Sequence, residues 1–326
     1  MVSVEASAAA TADAHLARPH VSRARWIGFA WAALAVVIFS GWFVVTRFSV
    51  TRELQIWDVA ALRFGIGAVL LAPAILRRGS RLPKAAWGEG LVFSFFWGIP
   101  FVLLVAFGLK LTSAAQAASV APTLMPVFAG VLAWAFLCEP QGRARWLGYG
   151  AIVVGLTCLV AAGAAIHGRP NPAGVSALAA AAAMWAVYTL LFRRSGLTPI
   201  QSAALICVWS AALFLPVYLL LGLSRFSLAS PSEIALQAAY QGVLMSGVAV
   251  ISFNRAVSLL GSAAATVILA LLPAVAALLA VPVLGETPSM SECGSIAIIV
   301  LGVLLVSKPA APSITLTVPQ AQWRRP

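Results

Sequence analysis

The chain of 326 residues is 62% hydrophobic and 9% charged, and its formal net charge is +12. A soluble domain carries about a quarter charged residues, so this inventory cannot cover a water-facing surface, and the main solvent is lipid. The surplus of Arg and Lys then belongs to cytoplasmic loops of a membrane protein, which excludes a nucleic-acid partner because no soluble domain is left to carry a basic face.

Residues 1–25 are Ala-rich and polar, and Arg18, Arg23 and Arg25 lead into the first apolar run. That run, from Trp26 to about Phe48, is longer than the 7–15-residue core of a signal peptide. It reads as an uncleaved first helix behind a cytoplasmic tail. A spanning helix needs about 20 mostly apolar residues. On that basis spans are predicted at about 26–47, 56–76, 86–109, 113–137, 144–165, 172–192, 199–222, 234–256, 262–284 and 291–307. Alternation with period two is absent, which argues against barrel strands. The connections are short, so successive helices are expected to be antiparallel neighbours. The segment 309–326 has no apolar stretch and reads as a second tail.

The basic residues orient these spans. With the N-terminus inside, the cytoplasmic segments hold Arg18, Arg23, Arg25, Arg77, Arg78, Arg81, Lys84, Arg143, Arg145, Arg193, Arg194, Arg255, Lys308, Arg324 and Arg325. The outer loops hold Arg47, Arg52, Lys110, Arg169 and Arg225, and only Arg63 falls within a span. This bias predicts both termini in the cytoplasm.

Two stretches spell alike. LMPVFAGVLAWAFLCE, residues 124–139, and LLPAVAALLAVPVLGE, residues 271–286, stand 147 positions apart and share Pro126/Pro273 and Glu139/Glu286. Gly155 and Gly302 match at the same offset, and Trp42 and Thr46 echo Trp185 and Thr189 at offset 143. A repeated unit of five helices enters the membrane upside down the second time, which is a recurring plan of secondary transporters. The expected fold is therefore an all-α membrane protein with ten transmembrane helices as two inverted five-helix repeats. Its parts are a tail over 1–25, a first repeat over 26–165, a second over 172–308 and a tail over 309–326.

Both repeated stretches close a helix on a Pro…(Gly/Cys)-Glu pattern, and each precedes a Gly-bearing helix, WLGYGAIVVGLTCLV and SIAIIVLGVLLVSK. With Leu62-Arg63-Phe64 and the WAVYTLLFRR of the sixth span, this order and spacing resembles the drug/metabolite transporter superfamily, in its branch with two EamA domains. The resemblance covers about 26–308. It departs at Cys138-Glu139, where the family often has Gly-Glu. It implies export or exchange of a solute across an inner or plasma membrane by alternating access. It names no substrate and no cofactor, and leaves a monomer or a homodimer open.

Candidate residues divide by position. Arg63 lies about two turns inside the second span. It either snorkels to the headgroups, locks onto carbonyls, or meets an anionic solute. Arg255, beside Asn254, reads as a positive-inside anchor. Glu139 and Glu286 end helices where the macrodipole disfavours an anion. Arg143 and Arg145 could offset Glu139, whereas Glu286 needs a cation from a distant helix end. No Asp or Glu is mid-span, and His15, His20 and His167 lie outside the spans. Proton coupling would then need an edge carboxylate. The cysteines 138, 158, 207 and 293 have no metal-ligand spacing and read as small buried hydrophobes.

Trp42, Trp97, Trp185 and Tyr188 fall near mid-span, away from the interface belts that tryptophan prefers. They read as core packing or as the wall of a cavity for amphipathic solutes. Ser40, Ser94, Gln116, Tyr240, Gln241, Ser246 and Asn254 could supply hydrogen bonds there. Pro126 and Pro273 are expected to bend two helices at matched depth. Gly148, Gly150, Gly155 and the alanines 179–183 permit close helix approach. The substrate-binding set is thus Trp42, Trp97, Trp185, Tyr188, Ser246, Asn254 and Arg63. The structural set is Pro126, Pro273, Glu139 and Glu286.

The leading functional expectation is a secondary transporter exporting small polar or amphipathic metabolites such as amino acids. The alternative is a facilitator or an exchanger of sugars or other metabolites. A scaffold or an intramembrane enzyme is the remote reading, since no HExxH occurs and no span holds a histidine.

Overall fold

The computed structural model describes residues 23–76, 82–167, 171–260 and 262–306. Both predicted tails, apart from Arg23 and Arg25, and the loop arginines 77, 78, 81 and 169 lie outside them. Each predicted run is helical, with ends within four residues of those expected. The helices are α1 (Arg23–Val50), α2 (Ile56–Leu76), α3 (Lys84–Leu111), α4 (Ala114–Leu137), α5 (Arg143–His167), α6 (Pro172–Phe192), α7 (Pro199–Leu220), α8 (Pro231–Leu260), α9 (Ser262–Leu284) and α10 (Met290–Val306). No strand occurs among the described residues. Eight helices, α1 to α8, are long and apolar enough to cross a membrane, and the apolar stretches Ala270–Leu284 and Met290–Val306 are shorter. Large apolar side chains such as Val69, Phe136, Leu219 and Leu220 stand outward. Water would penalise that coat and hydrocarbon does not, so the molecule is a multi-pass membrane protein.

Local chemistry sets the helix starts. Ser113 accepts from the Gln116 amide while Gln116 reaches back to Ser113, and Thr198 and Gln201 do the same. Gln55 and Asp58 form a third such reciprocal cap. Prolines occupy the first turns of α6, α7 and α8, where no intrahelical donor is lost.

Two helix ends close identically. The Glu139 amide donates to Ala133 O and the Glu286 amide to Ala280 O. The preceding residues are left-handed, Cys138 at φ 53° and Gly285 at φ 71°. The Cys-Glu departure is therefore a cysteine held in a glycine conformation, at a cost of about 1–2 kcal/mol.

The interhelical pattern has long faces between α5 and α10, α1 and α9, α4 and α6, and α2 and α7. Further contacts join α1 with α8, α6 with α3, α2 with α8, α7 with α3, and α4 with α9. Along α5–α10 the backbones nearly touch. A β-carbon on Gly148 would lie 2.7 Å from Gly302 O, one on Gly302 2.9 Å from Gly148 O, and one on Gly155 3.1 Å from Ser295 O. Small residues allow this approach in lipid, where packing rather than the hydrophobic effect associates helices. Gly150, by contrast, faces open space. Of the cysteines only Cys207 is buried, while Cys138, Cys158 and Cys293 are exposed and all four are free thiols. The expectation of small buried hydrophobes thus fails for three of them, because the outside of these helices faces lipid or loop rather than core.

Candidate functional site

A row of aromatic rings crosses the centre of the bundle. Trp42 of α1 stacks on Phe101 at 6.4 Å and 19°, Phe101 on Trp97 at 4.2 Å and 27°, and Trp97 on Tyr188 at 5.4 Å and 11°. Tyr188 continues onto Phe192 at 5.8 Å and 19°. Trp185 leans on Trp97 at 4.4 Å. Offset stacking at these separations is favourable beyond the area it buries. The sequence placed the tryptophans but not Phe101, four residues after Trp97 in α3. Gly98 separates two helical stretches, and Pro100 opens the second. A β-carbon at Gly98 would meet Ser94 O at 2.2 Å and Ser210 Oγ at 2.3 Å. Only glycine fits there, and Phe101 follows Trp97 by four residues, on the same side of α3.

Arg63 closes one end of this row. It is 8% exposed, so it does not snorkel. Its Cζ lies 5.0 Å from the Trp42 ring centroid and 5.9 Å from that of Phe64. Its Nη1 is buried and has no hydrogen-bond partner among the described residues. Cation–π contact offsets part of the burial, but a buried guanidinium nitrogen without an acceptor remains costly. Among the described residues no carboxylate pairs with it, and the neighbouring titratable side chain is the Cys207 thiol.

The Trp42 indole is fixed from α8: Trp42 Nε1 donates to Gln241 Oε1 at 2.9 Å, and Gln241 Nε2 donates to Thr46 Oγ1 at 2.8 Å. Ser246 Oγ donates to Gln241 O at 3.1 Å and lies 3.5 Å from Arg63 O. These residues belong to a π-helical stretch, Ala238–Val248. Such wide turns occur mostly at functional sites, and the apolar pattern gives no sign of this one. Asn254 lies about 12 Å further along α8. It is half-buried and makes no side-chain hydrogen bond within the described residues, so the structure does not bring it to the row.

Other predicted polar groups are satisfied by protein. Ser40 bonds Leu272 O, Ser94 bonds Leu91 O, Gln116 caps α4, and Tyr240 bonds Ile38 O. Ser40 and Tyr240 thereby join helices, whereas Ser94 and Gln116 bond within their own. Arg255 is exposed, as an anchor would be.

The two glutamates take cations from helix ends at opposite ends of the bundle. Glu286 pairs with Arg47 at the end of α1 and accepts from the Ala114 amide at the start of α4, 3.1 Å away. Arg47 also donates to Leu109 O and Thr112 O at the end of α3. A helix N-terminus stabilises the anion and a C-terminus the cation, so one corner ties four helix ends. A cavity of about 350 Å³ adjoins it, lined by Arg47, Thr112, Gln116, Glu286 and Glu292 among others. At the far end Glu139 meets Arg193 at 3.9 Å, and both side chains are largely exposed, at 44% and 60%. The partner expected for Glu139 was Arg143 or Arg145. Arg145 instead bonds Gln141 at 3.2 Å, and the packing of α4 against α6 brings in Arg193. Pro126 and Pro273 lie inside α4 and α9, together with Pro122 and Pro282.

Comparison with known proteins accords with this architecture. A model of the EamA-like transporter family matches residues 26–161 and again 172–308. A protein of Streptantibioticus cattleyicolor named "Probable terminal-alkyne amino-acid exporter" is 29% identical over 287 residues, 85% of this chain and 93% of that protein. A solved crystal structure of a protein superposes with a TM-score of 0.59 at 25% identity, covering 87% of this chain and 97% of that one. The double match spans most of the chain: it belongs to the EamA-like transporter family.

Proposed function

We propose that this protein is a secondary transporter that exports amino acids, or metabolites with the same zwitterionic head, across the cytoplasmic membrane by alternating access. The observation that carries the reading is Arg63, a buried cation whose Nη1 lacks an acceptor and whose neighbours are aromatic faces. A solute carboxylate would supply that acceptor, with a charge-assisted bond stronger than a neutral one. The ring row would hold the solute's apolar part. The relative named as an amino-acid exporter agrees with this class.

The transport mode rests on symmetry. Exchange each helix of α1–α5 for its counterpart in α6–α10, and the packing pattern is unchanged: α1–α9 becomes α6–α4, and α1–α8 becomes α6–α3. The Gly148–Gly302 approach becomes Ser295–Gly155. The Arg47–Glu286 pair becomes, within one helical turn, Arg193–Glu139. This supports ten spans in two inverted repeats, with both termini inside by the charge bias. The outer tie is tight and the inner one loose, as in a form closed outward. Rocking about the shared axis would exchange these roles.

A thermal-shift panel of amino acids, their decarboxylated amines and sugars tests the proposal. Amino acids are expected to stabilise the wild type and not Arg63→Gln. Equal stabilisation by the amines would refute carboxylate recognition.

A further inference from the structure

The face between α1 and α8 carries a buried polar line that starts at the Gln241–Thr46 support of Trp42 and runs on past the ring row. On α1 it comprises Thr46 and Ser49; on α8 it comprises Gln241, Gln237 and Glu233 at helical spacing. Gln237 Nε2 donates to Val45 O at 2.7 Å and to Ser49 Oγ at 2.8 Å. Glu233 closes the line at the end of the bundle that holds the Arg47–Glu286 tie. It is 6% exposed and its Oε1 has no hydrogen-bond donor. One turn deeper, Gln237 Oε1 is buried and likewise without a donor. The charged or titratable groups facing Glu233 are Glu53 and Arg52, both just beyond α1, and Ser49 faces it from α1; Glu53 and Glu233 meet at Ser230, whose amide donates to Glu53 Oε2 and whose Oγ accepts from the Glu233 amide at 3.4 Å. Arg52 is exposed and spread over the Phe48 ring at 4.0 Å.

Two carboxylates held against one serine cannot both ionise cheaply, and one proton between them removes the repulsion. Glu53 is the member that stays charged. Its Oε2 accepts from the Ser230 amide at 2.6 Å, and this bond holds its carboxyl below the ordinary range. The proton therefore belongs to Glu233, whose burial disfavours its anion.

We propose that Glu233 and Glu53 form a proton-binding site, loaded from the outer water, that clasps α1 to α8 in the outward-closed form. The bound species is one proton, taken up by the Glu233 carboxylate and shared with Glu53. Loss of the proton leaves two facing anions and releases the clasp. The consequence for gating rests on the alternating-access reading; the site itself does not.

The test uses the full chain in lipid nanodiscs without solute, so its outcome is separate from substrate recognition. Infrared difference spectra across a pH titration are expected to contain the carbonyl band of a protonated carboxylic acid, and Glu233→Gln is expected to remove it. Glu53→Gln removes the facing anion and is expected to move the midpoint of that band down by about one pH unit or more. Labelling of Ala277→Cys, a buried position lining the cavity beside the Arg47–Glu286 tie, by an impermeant maleimide is expected to quicken with pH more steeply than the thiolate fraction alone, and to keep only the thiolate dependence in Glu233→Gln. A wild type without the band, or a band that survives Glu233→Gln, overturns the site. Labelling with the same pH dependence in both proteins overturns the clasp. If Glu233→Gln does not fold, an unmoved midpoint in Glu53→Gln overturns the site.

Discussion

Replacing Glu286 by glutamine removes a charge from the corner where Arg47, α3, α4 and α9 meet. The two side chains of the pair are 21% and 22% exposed. Fully exposed pairs contribute about 0.2–1 kcal/mol, and losing one partner of a buried pair costs about 3–5 kcal/mol. This corner lies between, and about 2 kcal/mol is a reasonable figure. If the corner exists only when the outer side is closed, that loss moves the closed-to-open equilibrium about 30-fold toward opening. The assay is maleimide labelling of Ala277→Cys, buried in the closed form and lining the cavity beside the corner, with Cys138 changed to glycine and Cys158 and Cys293 to serine. Glu286→Gln is expected to raise the rate by that order. Glu139→Gln weakens a largely exposed pair at 3.9 Å, is worth under 1 kcal/mol, and should lower the rate at most a few-fold. Unchanged labelling in Glu286→Gln, or the same rise in both variants, would refute the reasoning.

Other expectations follow from single contacts. Trp185→Ala should impair transport while the protein remains folded; normal uptake kinetics would remove the aromatic wall from the account. Trp42→Phe strands Gln241 Oε1 and should cost about 1–3 kcal/mol by thermal unfolding, with Gln241→Leu in the same background restoring part of it. Gly148→Val forces a side chain onto the Gly302 backbone and should lower the unfolding temperature clearly, whereas Gly150→Ala should be near neutral. Cys138→Gly relieves a left-handed cysteine and should raise stability by about 1 kcal/mol, unless the αL conformation is absent in solution. A C-terminal reporter should be cytoplasmic; an outer signal would break the helix count.

Much of the fold was legible because lipid writes it in long apolar runs with short connections. The ends of α2, α4 and α6 fell within a residue of their expected places for that reason. The doubled Pro…Glu stretch located two helix ends that close by the same hydrogen bond. The requirement that Glu286 find a distant cation was legible from the helix dipole, and Arg47 meets it. What stayed hidden needs tertiary packing. Glu139 was matched to arginines in its own loop, because sequence cannot say that α6 ends beside α4. The π-helical turn that aims Gln241 and Ser246 leaves no periodic mark. Phe101 lies one turn from Trp97, but its stacking on Trp42 comes from the packing of α1 on α3. Glu233 stands at a helix start in the sequence, and its burial comes from the docking of α8 on α1.

Counterflow in proteoliposomes tests the central claim most directly. Vesicles preloaded with an amino acid and presented with the labelled form should accumulate label transiently, and Arg63→Gln should abolish the overshoot while the decarboxylated amine fails to elicit it. Absence of exchange for every amino acid in the wild type, or full exchange in Arg63→Gln, would contradict an exporter built around a buried carboxylate-binding arginine.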